Sequence, residues 1–342
     1  MAVMPSMAAD NFKLINQWEH HNSELFGRVW DSQVDKDGHI ICAFSMLTGG
    51  RLITSGKVIE FGPFGQGPGD IETLMCIIPF KSDIAIVERA DKIKLFKKNK
   101  GTYVYKDIFW LKRGKFPFII SDGIFVDNKW FLAGFAFLNY DPNILKSCYI
   151  KVFDQKGKPL KEMINKEYKK KDYKKMLYLM NYYIVGNDNR LFFLPENELK
   201  VTVISAKELA VKKEVKLEIP HFYKKMPDDF YAWEDKNNEF KKKTKLTIEK
   251  WKAEYSRISK VLLEGDKLIV QIRTCNDKLK TYALLFYNAN SFKLEKTFFF
   301  DDFLMGVNGG KYYFYSDGDP EDDDDTDQCI ISIYDFATKK EK

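Results

Sequence analysis

A short turn followed by a strongly apolar strand recurs six times along the 342-residue chain. The apolar strands begin at His39, Asp83, Lys129, Arg190, Lys267 and Lys311. Their starts are about 44, 46, 61, 77 and 44 residues apart, and a four-stranded propeller blade takes roughly 40–50 residues. The recurrence therefore predicts an all-β fold: a six-bladed β-propeller of four-stranded antiparallel blades, with insertions in the two long intervals.

The last repeat has three recognisable strands instead of four. They are Phe300–Val307, Lys311–Tyr315 and Cys329–Asp335, while an alternating strand, Phe12–Trp18, lies at the N-terminus without a partner. Pairing that strand with the last repeat closes the ring and removes open sheet edges. We therefore predict one propeller over residues 12–337, between tails at 1–11 and 338–342, with insertions at about 165–177 and 220–253.

The second insertion carries a helical pattern. Ile248, Trp251, Tyr255 and Ile258 have the spacing of one helix face, and Thr247 is placed to cap its start. We predict a short amphipathic helix there. It either packs its apolar stripe on the propeller or serves as a lid or docking helix over the channel.

One glycine- and proline-rich stretch, Phe61–Ile71, connects two strand-like segments and resembles a family signature. It reads Phe-Gly-Pro-Phe-Gly-Gln-Gly-Pro-Gly-Asp-Ile, which excludes helix and ladder pairing. It is similar to the motif of a bacterial six-bladed propeller family related to the NHL and TolB-like propellers, with Asp70 and Ile71 in place of the usual Glu and Phe. The resemblance implies a propeller fold and an exported protein, and leaves the ligand open.

Strand alternation sorts the links between strands onto two faces. Links from first to second strand are short and lie on what we call the turn face. The links between blades and from second to third strand lie on the opposite face, the link face, and are long. Long loops on a rigid scaffold concentrate function. We therefore predict ligand contacts on the link face, from Asp70, Arg89, Tyr140, Arg273 and Asp317.

The sequence lacks the usual catalytic sets. The histidines His20, His21, His39 and His221 form no metal-binding i, i+4 pair, and no Gly-x-Ser-x-Gly elbow occurs. The preferred interpretation is a non-enzymatic binding module, without cofactor or metal, that recognises a protein or a glycan on the link face. The alternative is a lyase or hydrolase with its site in the central channel, where Arg89 and Arg273 would be charged rim positions.

Two charged stretches allow other partners. Lys166–Lys175, with interleaved tyrosines, could attract nucleic acid or anionic lipid, but a solvated loop is preferred because arginine is scarce there. Asp317–Asp327 offers oxygen ligands for Ca²⁺, but the EF-hand pattern is missing. We predict an acidic loop and no nucleic-acid partner.

Composition and cysteines bear on the compartment. The aromatic share of 15% favours sheet, and no apolar run approaches the roughly 18 residues of a membrane span. We expect a monomer with no membrane span. Ser6-Met7-Ala8 resembles the remnant of a signal-peptidase site, which favours an exported or periplasmic protein. Five cysteines without C-x-x-C spacing predict buried free thiols, and so leave a cytoplasmic location open.

Overall fold

The computed structural model describes residues 12–21, 29–44, 49–80, 82–88, 92–112, 118–138, 144–169, 181–226, 254–276, 279–316 and 328–336. All secondary-structure elements in these ranges are β-strands. Within the same ranges, no helix is long and apolar enough to cross a membrane.

The first strands in chain order are β1 (Phe12–His21), β2 (Val29–Val34), β3 (Ile40–Phe44), β4 (Gly50–Ile53), β5 (Val58–Phe61), β6 (Leu74–Phe80), β7 (Asp83–Glu88), β8 (Lys92–Asn99) and β9 (Thr102–Trp110). Then come β10 (Phe118–Val126), β11 (Lys129–Phe137), β12 (Ile144–Asp154), β13 (Pro159–Met163), β14 (Lys166–Lys169), β15 (Tyr182–Gly186), β16 (Arg190–Pro195), β17 (Lys200–Ser205) and β18 (Ala210–Lys216). The last are β19 (Arg257–Glu264), β20 (Lys267–Arg273), β21 (Tyr282–Asn288), β22 (Leu294–Phe300), β23 (Phe303–Asn308), β24 (Lys311–Ser316) and β25 (Gln328–Phe336).

The strands form six antiparallel sheets, which are the blades of a six-bladed propeller. Blades one to five are β2–β5, β6–β9, β10–β13, β15–β18 and β19–β22, and blade six is β23, β24, β25 and β1. The first strands of neighbouring blades contact one another around the whole ring, including β23 with β2. These inner strands therefore surround the central channel.

The second strand of each blade explains the recurring sequence signal. Strands such as β3, β16 and β24 are almost completely buried along their length. Neighbouring blades pack against both faces of each sheet, so a central strand cannot alternate between core and solvent. Its sequence is then a continuous apolar run, whereas an outer strand such as β18 is mostly exposed.

The N-terminal strand β1 lies beside the last strand of the chain. It pairs antiparallel with β25 from Phe12 opposite Phe336 to His21 opposite Gln328, and forms the outermost strand of blade six. The strand is three residues longer than the Phe12–Trp18 segment identified in the sequence. Phe12 and Trp18 face the core, while Leu14 and Ile15 are exposed.

Most of the predicted helix lies outside the described residues, and of its apolar stripe the structure describes Tyr255 and Ile258. Ile258, assigned to its apolar stripe, belongs to strand β19 and pairs with Ile272. The apolar residue that continued the helical spacing is therefore a buried strand residue, and Ile248 and Trp251 lie outside the described residues. The prediction of a loop over Lys166–Lys175 is also partly wrong, because Lys166–Lys169 form β14, which pairs with β12.

Candidate functional site in the central channel

The inner strands share an irregularity near the point where each begins. Five of the six, all except β15, skip one residue in their pairing with the second strand. Such a bulge changes the direction in which the neighbouring side chains point. The residues that follow the extra one are Asp31, Cys76, Asp122, Lys260 and Gly306 in blades one, two, three, five and six. Charged residues thus occupy equivalent positions in alternate blades.

The two bulge carboxylates tie neighbouring blades together. Asp31 accepts hydrogen bonds from the backbone N–H of Ser32 at 2.7 Å and of Ile77 in blade two at 2.7 Å. Asp122 repeats the arrangement, with Gly123 at 2.7 Å and Ile184 of blade four at 2.8 Å. Hydrogen bonds to a charged acceptor are stronger than neutral ones, so these carboxylates stiffen the channel wall.

The bulge cation Lys260 reaches from blade five to blade one. Its Nζ donates to the Ser32 carbonyl at 2.6 Å and lies 3.3 Å from Asp31 Oδ1. Ser32 in turn donates its hydroxyl to the Met305 carbonyl of blade six at 2.7 Å. Gly306 permits this close approach, because a Cβ there would lie 2.6 Å from Val34 Cγ2. Lys260 is consequently engaged in holding blades five, six and one together.

Asp122 has an unusual proton affinity for a carboxyl group. Burial raises its pKa to about 7, and the negative charge of Asp31 adds to the rise. The two backbone hydrogen bonds oppose the shift because they favour the carboxylate. Asp122 therefore changes charge near neutral pH.

This pKa predicts a pH-dependent stability. An unfolded Asp titrates near 3.9, so between about pH 4 and pH 7 the folded protein holds more protons than the unfolded chain. The free energy of unfolding therefore falls as pH rises through this range, by an amount on the order of a few kcal/mol. Asp122→Asn should remove this component from urea denaturation measured at pH 4, 5, 6 and 7. An unchanged pH slope in the variant would contradict the assignment to Asp122.

A cavity of about 570 Å³ occupies the channel and is lined by the inner strands of all six blades. Trp30, the extra residue of the blade-one bulge, lines it and is 54% exposed. The Trp30 indole N–H donates to the Met75 carbonyl of blade two at 3.0 Å. The cavity therefore has a large aromatic side chain fixed at one wall.

The opposite sector of the wall, from blades four and five, is polar and charged. Arg257 and Arg273 are paired directly across β19 and β20, and both line the cavity with Glu196. Glu196 is buried and accepts a hydrogen bond from the Asn181 backbone N–H at 2.7 Å. Tyr183 donates its hydroxyl to the Ile258 carbonyl at 3.0 Å.

Tyr183 is held in its protonated form. Burial raises the pKa of its hydroxyl well above the usual value, Glu196 adds to the shift and Arg257 opposes it. The phenol therefore acts as a hydrogen-bond donor within the wall at neutral pH.

Of the five predicted ligand contacts, the structure describes two. Arg273 ends β20 and lines the cavity, so its position at the channel fits a ligand contact. Asp70 is described and its carboxylate is used within its own loop, where it accepts the Gly67 backbone N–H at 2.9 Å. Arg89, Tyr140 and Asp317 lie outside the described residues, as does the acidic stretch that starts at Asp317.

The glycine- and proline-rich link is folded around Asp70. A Cβ on Gly65 would lie 2.2 Å from Asp70 Oδ2, so a side chain at this position would require the Asp70 carboxylate to move. Lys94 of β8 donates its ammonium to the Asp70 carbonyl and forms a buried ion pair of 3.0 Å with Glu88. The buried Lys94–Glu88 ion pair thus holds the glycine- and proline-rich link against blade two.

A group of potential metal ligands lies on the turn face. Among the described residues, Asp35, Asp37 and His39 are the one such group of three. The Lys98 ammonium lies among them, 2.6 Å from Asp35 Oδ2, 2.5 Å from Asp37 Oδ2 and 3.2 Å from His39 Nδ1. This cation already pairs with both carboxylates, so the group is an ion-pair network and fits a metal poorly.

The cysteines are free thiols, as the sequence predicted. Cys42, Cys76, Cys148 and Cys329 are buried, and Cys275 is half-buried. Burial raises the pKa of the Cys148 and Cys329 thiols to about 12. Thiols with such a pKa are poor nucleophiles at neutral pH.

Sequence reasoning missed most of the channel wall. Asp31, Asp122 and Lys260 were not singled out, although each interrupts an apolar inner strand at the same place in its repeat. Aligning the repeats on their inner strands would have exposed this signal. Glu196 and Arg257 carry no such signal, because only the folded ring brings the ends of β16 and β19 together.

Several solved structures have a similar fold. A member of the DUF4221 family from Bacteroides vulgatus gives a TM-score of 0.57 at 10% identity, covering 94% of this chain and 97% of that one. The luciferin-regenerating enzyme gives 0.51 at 10% identity, covering 94% and 95%. Streptogramin B lyase gives 0.47 at 13% identity, covering 95% and 88%.

No protein-family model and no curated protein matches the sequence. At these identities the structural likeness shows the propeller fold alone. The resemblance to the NHL and TolB-like propellers therefore stays a prediction.

Proposed function

We propose that the protein is a non-enzymatic binding module that holds a glycan in the central channel, at the end where the inner strands begin. The observation that carries this proposal is the cavity of about 570 Å³ with the exposed Trp30 in its wall. Pockets for small ligands span roughly 300–1,000 Å³ and combine apolar area with a few placed polar groups. A sugar ring has one face of C–H groups and a rim of hydroxyls, and so matches an aromatic platform beside polar side chains.

The channel favours a glycan over a protein partner. A protein partner typically covers about 800 Å² on each side of an interface, whereas this site is a concave cavity inside the ring. The end of a polysaccharide chain can enter such a cavity. Ser259 and Asn181 also line the cavity, and side chains of these types can form hydrogen bonds with sugar hydroxyls.

Binding is favoured over catalysis by how the channel charges are used. Asp31 and Asp122 each accept two backbone hydrogen bonds, and Lys260 is bonded to Ser32 and Asp31. A general acid or base must exchange its proton with substrate, and these groups are committed to holding blades together. A lyase or hydrolase remains the second reading, favoured by the pKa of about 7 at Asp122.

Trp30→Ala tests the proposal against a matched control. Loss of a central aromatic contact typically costs 2 kcal/mol or more, so we expect affinity for a bound oligosaccharide to fall at least about thirtyfold. The control is Trp110→Ala, because Trp110 is 57% exposed on the outermost strand of blade two, away from the channel. Binding is measured by titration calorimetry with oligosaccharides selected on a glycan array.

Trp110→Ala should bind like the wild type. Equal losses in the two variants would place the site outside the channel, and an array without any bound glycan would refute glycan binding. Thermal unfolding of both variants separates loss of binding from loss of structure.

We further propose three features that accompany this function. Strand β1 closes the ring, the protein works in an exported or periplasmic compartment as a monomer, and it is related to the NHL and TolB-like propellers. The pairing of β1 with β25 supports the first. The Ser6-Met7-Ala8 segment supports the second, and the Gly-x-Gly-Pro-Gly-Asp stretch supports the third.

A further inference from the structure

The geometry points to a carboxylate-binding site in the cavity wall, formed by Arg257 and Arg273, so that the glycan held in the channel is an acidic sugar. The inference rests on the proposed glycan-binding function and adds the class of ligand. It commits to a carboxylate, as in a uronic acid.

The two arginines are brought together by strand register. Arg257 opens β19 and Arg273 ends β20, and the two residues are directly opposite in the antiparallel pair. Opposite residues on one sheet face have Cβ atoms about 4.5–5.5 Å apart, and like charges there repel. Both side chains line the cavity, so an anion there would lie beside two guanidinium groups.

The cationic side chains of the described cavity wall are concentrated in blades four and five. Among the described lining residues, blades four and five contribute Arg257, Lys260 and Arg273 against one acid, Glu196. Lys260 is paired with Asp31 of blade one, which makes the two arginines the candidates for ligand contact in this sector. Glu196 and both arginines also have interactions within the protein, and a ligand carboxylate would add to these contacts.

The geometry of the donors favours a carboxylate over phosphate. A guanidinium presents parallel N–H donors that match the two oxygens of a carboxylate. Phosphate matches these donors too, but as a dianion it would meet stronger repulsion from Asp31, Asp122 and Glu196 around the same cavity. The sugar ring that carries the carboxylate would then lie in the space between the arginines and Trp30.

The test compares a uronic-acid trisaccharide with its neutral counterpart, and uses inorganic phosphate as competitor. Charge-assisted hydrogen bonds contribute about 1.5–3 kcal/mol, so we expect the wild type to bind the acidic sugar about ten- to a hundredfold more tightly. Arg273→Gln should remove most of this preference, because affinity should fall more for the acidic sugar than for the neutral one. Arg273→Lys, which keeps the charge, should restore part of it and serves as the second variant.

The control is Arg190→Gln, because Arg190 begins β16 on the turn face, at the far end of the second strand of blade four. It should keep the full preference for the acidic sugar. Equal affinity of the wild type for both sugars would overturn the carboxylate site and leave glycan binding standing. Failure to bind either sugar would overturn the carboxylate site, whereas glycan binding itself is refuted by an array without any bound glycan. Displacement of the acidic sugar by phosphate at equal concentration would overturn the preference for a carboxylate.

Discussion

Phe12→Ala should lower the free energy of unfolding by about 3–5 kcal/mol, the usual cost of truncating a buried aromatic side chain. Phe12 is 6% exposed. The centroid of its ring lies 4.9 Å from that of Phe298 and 5.2 Å from that of Phe300, both in blade five. The centroid of the Tyr312 ring in blade six lies 5.0 Å away. The N-terminal strand thus fastens the last blade to its neighbour, and urea denaturation measures the effect.

Leu14→Ala on the same strand is the control, because Leu14 is 47% exposed and surface substitutions usually change stability by at most about 0.5 kcal/mol. Similar losses in the two variants would show that β1 adds little to the closed ring. Deleting residues 1–21 should have a larger effect, since it leaves β25 as an open sheet edge. We expect that truncated protein to aggregate.

Lys94→Met should cost about 3–5 kcal/mol, because it leaves the Glu88 carboxylate buried without its counter-ion. Both side chains are almost fully buried, at 2% and 1% exposure, and lie 3.0 Å apart. Glu88 also accepts the Glu72 backbone N–H at 2.6 Å, just after the glycine- and proline-rich link. The measurement is urea denaturation of the wild type, Lys94→Met and the double variant Lys94→Met/Glu88→Leu.

The double variant should be more stable than Lys94→Met, because removing both charges leaves none unpaired. The matched control is Lys146→Met, whose partner Glu167 lies 2.8 Å away on the surface, with both side chains more than half exposed. Exposed pairs contribute about 0–1 kcal/mol. A loss for Lys94→Met no larger than for Lys146→Met would contradict the importance of the buried pair.

The fold was predictable because its signal is local and repeated. A strand such as β16 is apolar over its buried residues, Leu191 to Leu194, because blades cover both of its faces, and each repeat carries one such strand after a short turn. The helix prediction was wrong at Ile258, which continued a helical spacing by chance and lies in β19, whereas Ile248 and Trp251 lie outside the described residues. A single apolar residue fits a helix stripe and a buried strand equally well, and pairing with Ile272 decided the matter.

The candidate site was predictable only in part. Arg273 could be placed at the channel because it ends a second strand, and strand alternation fixes that end on the link face. Asp70 was placed on the same face, but a sequence cannot show that its carboxylate bonds the Gly67 N–H. The side-chain directions of Trp30 and Asp31 are set by a bulge. A bulge depends on the pairing with the partner strand, so the sequence of one strand does not show it.

A crystal structure of the protein with a bound uronic-acid oligosaccharide tests most directly whether the channel is the binding site. We expect a sugar ring against the Trp30 indole and its carboxylate within hydrogen-bond distance of Arg273. Sugar bound on the turn face, or on the outer strands with the channel cavity unchanged, would contradict this.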